Sequence, residues 1–468
     1  MRRSSLFSVG VLATVLLAAC PDRDVTRVDP VADRVDHRIL RPLNRNLDIL
    51  FVIDNSGSMA GEQASLAANF PAFIGVLQTI IGGLPDVHIG VVSSNVGAAG
   101  QASVPGCAGD GDDGKLLVKA ACTGLTGQFI SDVAGPGGTR VRNYTGNLDT
   151  LFSCMAQLGT GGCGFEMHLE AAYRALQPGA NPGFYRPDAY LAVIVIADED
   201  DCSTQMGAMF GDPTAGLGSA LGPRTSFRCH EFGVQCDDDP SPRGFGTKRG
   251  CQPRAQSPYM VEVDQYIDFL KGLKSDPDLV IVAGIVGIDD DDHTVVVGPD
   301  PMTPANPSVG KSCFIADPAD PNDGAAPPIR LATFLRAFPN RNQMTSICNA
   351  TLQDALVDIG ALVVDVVRNP CFDEPLADRD PRTACDPATG AGCEYECSVA
   401  EVRRPHADDR EETLIPACAD DGRTTPCWRV APNPAECSHV PYQLGLDIDY
   451  GDAPEPTNTY VDFQCVLD

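Results

Sequence analysis

Asp54, Ser56 and Ser58 place one carboxylate and two hydroxyls at alternate positions, an oxygen-only set that suits a hard divalent cation. Mg²⁺ takes oxygen ligands in near-octahedral geometry and keeps some positions for water or for a partner's oxygen, so one site can bind metal and partner together. The preceding Leu47 to Ile53 is apolar, β-branched and aromatic, as in a buried strand. After the motif, Leu66, Phe70, Phe73, Ile74, Leu77 and Ile81 recur at helical spacing over Glu62 to Ile81, with Pro71 expected to kink that helix or mark its start. The three oxygens therefore gather where a strand ends. The plainer reading is a helix cap, since Ser and Asp are common N-caps. The strand context and a second acidic strand end at Asp198 weigh against it.

The elements needed to hold such a site recur along the chain. Asp86 to Ser93 alternates as a strand, Leu148 to Leu158 and Glu166 to Leu176 read as helices, and Tyr190 to Ala197 is a continuous apolar run ending at Asp198. Val263 to Leu273 is helical, Leu279 to Val286 a strand, and Arg330 to Phe338 and Leu352 to Val366 are helices. Strands alternating with helices predict an α/β, doubly wound, mostly parallel sheet, in which ligands bind beyond the carboxyl ends of the strands. Asp54 and Asp198 both sit at such ends. Gly- and Pro-rich, cysteine-bearing stretches at about 94–146, 202–258 and 288–328 read as insertions. From Cys371 the helical stripes vanish and eight cysteines crowd the rest of the chain. Residues 370–468 thus form a smaller Cys-rich, β-containing module after a first domain at 46–369.

The pattern Asp54-x-Ser56-x-Ser58 at a strand end resembles the D-x-S-x-S signature of von Willebrand factor type A (VWA) domains over Asn46 to Asn369. The resemblance implies a Rossmann-like fold and a metal-ion-dependent adhesion site (MIDAS). It also implies a threonine on a second loop and an aspartate on a third. Val193-Ile194-Val195-Ile196-Ala197-Asp198 matches the strand-then-Asp pattern of the third loop, so Asp198 is chosen, with Asp200 an alternative in the acidic run that follows. The second loop departs from the family, because Cys163 stands where the threonine is expected. Thr160 is then the nearest hydroxyl and Glu166 a carboxylate alternative, while Cys163 is read as half of a disulfide, since thiolate suits softer ions. If the hydroxyls bind directly and the aspartates act through water, as the resemblance implies, little negative charge touches the ion. It stays electrophilic and favours a partner's carboxylate. Mg²⁺ is the expected cofactor, with Ca²⁺ or Mn²⁺ as alternatives.

A chain of 468 residues exceeds what one core usually serves. Its formal net charge of −29 disfavours nucleic acid and anionic lipid surfaces as partners. Residues 1–19 have the charged-then-apolar layout of an export signal, and Leu17-Ala18-Ala19-Cys20 resembles a bacterial lipobox with Cys20 as the lipid acceptor. Residues 20–45 then read as a tether. Setting Cys20 aside leaves 18 of the 19 cysteines, ten before Cys371 and eight from it, even sets that fit disulfides in an oxidising compartment better than zinc. The acidic runs Asp110 to Gly114 and Asp289 to His293 lack the spaced ligands of a calcium loop and read as solvated. Metalloprotease, nucleophile-elbow and phosphate-loop motifs are absent. The expectation is a non-enzymatic, metal-dependent adhesion or protein-binding module, lipid-anchored in a bacterial envelope on its periplasmic face or at the cell surface. Its partner would be a protein or surface glycan offering a carboxylate. An envelope assembly scaffold with a structural metal is the alternative.

Overall fold

The computed structural model describes residues 34–41, 44–80, 83–98, 104, 106–136, 139–205, 207–237, 241–315, 323–367, 371–372, 375–378, 393–403, 411–418, 425–432, 443–451, 453 and 459–467. The export segment, Cys20 and the first part of the expected tether lie outside them. The chain runs β1 (Arg34–Arg41), β2 (Asn46–Ile53), α1 (Ala60–Leu77), β3 (Asp86–Ser93), β4 (Ile130–Ala134), β5 (Arg140–Arg142), α2 (Leu148–Ala156), α3 (His168–Ala175) and β6 (Tyr190–Ile196). Next come α4 (Phe227–Gly233), β7 (Val234–Asp237), β8 (Gly246–Pro253), α5 (Val263–Leu273), β9 (Val280–Val286), β10 (Val295–Pro299), β11 (Pro307–Val309), β12 (Cys313–Phe314), β13 (Gly324–Ala325), α6 (Ile329–Arg336), β14 (Asn342–Ser346) and α7 (Gln353–Val367). The last stretch holds β15 (Cys371–Phe372), β16 (Cys397–Arg403), β17 (Glu411–Ile415), β18 (Cys427–Pro432), β19 (Leu444–Asp449) and β20 (Thr459–Val466).

A seven-stranded sheet of order β14-β9-β6-β2-β3-β4-β5 carries the site. Strands β14, β9, β6, β2 and β3 run parallel, and β4 and β5 add an antiparallel hairpin at one edge. Alternation along β2 sends Ile49, Phe51 and Ile53 into a core shared with α1, α2 and α7, and Leu50 and Val52 into one shared with α3, α5 and α6. The first core is built on aromatic packing: Phe70 and Phe152 stack at 3.6 Å, and Phe51 lies 4.8 Å from Phe152. Burying each such ring stabilises the fold by roughly 1.5–3 kcal/mol. Pro71 lies well inside α1, which starts at Ala60. It has no N–H to offer the Ala67 carbonyl one turn back. Ser153 on α2 serves that carbonyl instead, its Oγ donating across 2.6 Å.

The architecture corrects the expected fold class. Eleven of the fifteen strand pairings among the described residues are antiparallel. The sheet that holds the parallel strands is itself mixed, and four further sheets contain only antiparallel ladders. This is a mixed α/β chain with a large β-rich, cysteine-rich part, not a doubly wound Rossmann-like VWA fold. The physical cause lies in the connections. Parallel neighbours need helical crossovers, whereas the cysteine-bearing stretches lack helical periodicity and close locally as hairpins, stapled by disulfides.

Those staples are Cys107–Cys163, Cys122–Cys154, Cys202–Cys229, Cys236–Cys251 and Cys313–Cys348, so the ten cysteines from Cys107 to Cys348 pair with one another. Cys397–Cys465 and Cys418–Cys427 staple the last part of the chain. There the sheets β1-β20-β16-β17 and β15-β19-β18 enclose Phe372, Val399, Trp428, Leu446, Val461 and Phe463. Strand β1 corrects a second expectation. Arg34–Arg41 falls within the expected tether yet pairs with β20 over its full length. Among the described residues no helix is long and apolar enough to cross a membrane.

Candidate metal centre

The carboxyl ends of β2 and β6 are level, with Ile53 opposite Ile196, and the Asp54 N–H donates to the Ile196 carbonyl at 2.9 Å. Asp54 and Asp198 thereby leave the sheet side by side. The Ser56 N–H donates to Asp54 Oδ1 at 2.7 Å, closing a tight loop that brings the Ser56 and Ser58 hydroxyls within 3.3 Å of each other. Helix α1 begins after Met59 with no side-chain cap, so the reading of this motif as a helix cap fails.

One side chain absent from the sequence reading and one backbone bond hold the loops. Gln63, in the second turn of α1, donates from Nε2 to the Asp54 and Gly159 carbonyls at 2.9 and 3.0 Å, and its Oε1 accepts the Gly159 N–H. The Gly162 N–H donates to the Asn55 carbonyl at 2.8 Å. The second loop is thus laid against the first on both sides of Thr160, and the buried Cys107–Cys163 bridge fixes it from behind. Thr160 itself is exposed and makes no hydrogen bond to Asp54, Ser56 or Ser58. Glu166 is buried against Glu199.

The third loop divides its acids by role. Both Asp200 oxygens accept the Arg330 N–H at 3.0 Å, and Oδ1 also accepts the Leu331 N–H, so Asp200 caps α6. Asp201 accepts the Leu169 N–H at the start of α3 and pairs with the buried Arg330 guanidinium at 3.0 Å. Asp200 is therefore spent on the scaffold, which corrects its place as an alternative ligand. Asp198 and Glu199 remain at the site.

The electrostatics there are unbalanced. Asp54 and Asp198 are 0% and 1% exposed, yet Asp54 Oδ2 and both Asp198 oxygens accept no regular hydrogen bond. Burial, then the Asp54 and Glu199 charges, push the Asp198 pKa up to about 8, with the Ser58 hydroxyl and Lys311 pulling the other way. Glu166 is raised well above its ordinary value by burial, Glu199 and Asp54, and buried Glu62 is raised by burial and by Asp323 and Asp54. Two basic side chains stand near the carboxylates. The Lys311 ammonium stands 4.0 Å from Asp198, and His168 Nε2 stands 3.5 Å from Asp54 Oδ2. Burial opposes charging His168, but Asp54, Asp201 and Asp200 outweigh it and raise its pKa. A cavity of about 130 Å³ opens beside this cluster, with Glu166, Glu199 and Lys311 in its wall.

No three His, Cys, Asp or Glu side chains among the described residues converge as an all-carboxylate or His/Cys cage would require. The donor set is of another kind, two hydroxyls and two carboxylates. Its buried, unpaired oxygens fit a hard cation, because an uncompensated buried carboxylate costs several kcal/mol that a bound cation offsets. Elsewhere the acidic runs are satisfied by protein. Asp289 pairs with His293 and Arg336, Asp112 accepts from Ser93, and Asp113 meets Arg174.

No family model matches the chain, and no curated protein matches it. Among solved structures it is loosely similar to the pilus adhesin SpaC from Lactobacillus rhamnosus GG in an open conformation, at 10% identity and a TM-score of 0.30, over 93% of this chain and 40% of that one. The human COPII-coat protein Sec24c gives 9% and 0.29 over 92% and 42% of the two chains. Three N-terminal domains of the type V pili tip protein Mfa5 from Porphyromonas gingivalis give 11% and 0.27 over 94% and 69%. The chain spans less than half the length of the first two. Likeness this loose carries neither a fold assignment nor a function.

Proposed function

We propose that this chain is a non-enzymatic binding protein of the bacterial envelope that grips an acidic group on a partner through a divalent cation. Asp54, Ser56, Ser58 and Asp198 would hold the ion, Mg²⁺ foremost, with Thr160 or Glu166 as the remaining protein donor. The reading rests on one observation: Asp54 Oδ2 and both Asp198 carboxylate oxygens are buried and accept no regular hydrogen bond. The bound ion would supply an electrophilic position for a partner's carboxylate. This chain's own residues do the rest, Gln63 and the Asn55–Gly162 bond holding the loops while Asp200 and Asp201 fix the third loop to α6 and α3. Lipid attachment at Cys20 would place the site at the envelope, and surface adhesion is in keeping with the pilus proteins SpaC and Mfa5, although that likeness adds no weight.

The test pairs calorimetric Mn²⁺ titration of the wild type and Asp54→Ala with capture from envelope extract in Mg²⁺ or chelator. Expected are metal binding and metal-dependent partners for the wild type alone. Identical capture in chelator, or unchanged Mn²⁺ binding by Asp54→Ala, would sink the reading.

A further inference from the structure

A groove of about 380 Å³ runs beside the first and second loops, walled by Asn55 and Asp112, by Leu117, Val118 and Leu158, and by Lys119. Asn55 lies between Asp54 and Ser56, so the groove starts at the metal-site loop itself. The Asn55 side chain is 8% exposed, and its Oδ1 receives no hydrogen bond. That oxygen is sealed against Gly162, which leaves the Asn55 amide nitrogen as the polar atom for a ligand. Further along, the exposed Lys119 forms no ion pair among the described residues, in a chain of net charge −29. Asp112 Oδ2 accepts from Ser93 Oγ, which leaves Oδ1 for an outside donor.

We propose that this groove receives an extended peptide segment of the partner, continuing from the carboxylate on the cation; the inference rests on the metal-bridged reading above. A peptide backbone presents donors and acceptors in alternation, matching an amide and a carboxylate along one wall. The aliphatic Leu117, Val118 and Leu158 take an apolar side chain, and Lys119 takes a second acidic one. Among the described residues no aromatic ring lines the groove to stack on a sugar face, which favours a protein partner over a glycan.

The full chain, immobilised, is exposed to a pool of end-blocked peptides that carry a fixed Asp in random flanks, and separately to oligogalacturonate as a carbohydrate carboxylate, each in Mg²⁺ or chelator. Retained peptides should share an apolar and an acidic residue at fixed offsets from the Asp. Lys119→Glu should weaken their retention roughly tenfold while Mn²⁺ affinity stays that of the wild type, and Asn55→Ala should weaken retention as well. Retention of oligogalacturonate without peptides overturns the proposal, as does no peptide retention with or without Mg²⁺, or retention indifferent to both variants. If wild-type protein binds no Mn²⁺, the metal reading fails separately. Peptide retention in chelator that Lys119→Glu abolishes would then show the groove acting alone.

Discussion

Asp198→Asn tests the electrostatic argument where it is sharpest. In the folded protein the Asp198 pKa stands at about 8 against an ordinary 3.8. Because the folded value is the higher one, the unfolded chain releases its proton first as pH rises. Stability is therefore full below about pH 4, falls through the interval between the two values, and is lowest above pH 8. At about 1.4 kcal/mol per unit, with allowance for relaxation, the charged form costs on the order of a few kcal/mol. Asparagine keeps the shape without the charge. In EDTA at pH 8 the variant should be more stable than wild type by an amount of that order, and the two should converge at pH 4. Mg²⁺ at a hundred times its dissociation constant should add about 2.7 kcal/mol to the wild type and almost nothing to the variant. Urea titrations at both pH values, with chelator or Mg²⁺, read all four quantities. A variant less stable than wild type in EDTA at pH 8, or one equally stabilised by Mg²⁺, would refute the reasoning.

Asp200→Ala should lose the α6 cap, costing about 1 kcal/mol in chemical denaturation, while Mn²⁺ affinity in calorimetry stays that of the wild type. Gly162→Ala puts a methyl 2.0 Å from Asn55 Oδ1 and 2.7 Å from the Asn55 carbonyl; it should cost about 1–3 kcal/mol and weaken Mn²⁺ binding by displacing the first loop. Replacing Cys107 and Cys163 together by Ser removes a bridge spanning 56 residues, worth about 4 kcal/mol by loop-closure entropy. The second loop should then exchange its amide hydrogens faster in hydrogen-exchange mass spectrometry, with β2 and β6 unaffected.

The strands that end at Asp54 and Asp198 were legible because both are continuous apolar runs, and β6 falls at Tyr190–Ile196 where the sequence places it. The helices α2, α5, α6 and α7 follow their apolar stripes for the same reason. What escaped was held by single polar residues with no period. Strand β14, Asn342–Ser346, is half-buried throughout and has no apolar alternation to read. Gln63 and Arg330 act on residues far away in sequence, so no local spacing marks them. The acidic run after Asp198 shows why composition cannot assign ligands: Asp200 and Asp201 look equivalent to Asp198 in sequence, but helix N-termini and Arg330 claim them. The expected doubly wound sheet fails because the cysteine-bearing stretches and the last part of the chain add antiparallel ladders, which supply most of the pairings.

Strand β1 sets a timetable for synthesis. Arg34 to Arg41 are made well before their partners, Thr459 to Val466. Throughout translation β1 carries an open edge, which invites pairing with other chains until β20 arrives. The closing strand also carries Cys465, whose bridge to Cys397 can form only then. A chain cut short before β20 would leave β1 unpaired beside a finished central sheet, and so expose at its amino-terminal side the defect made at its carboxyl end.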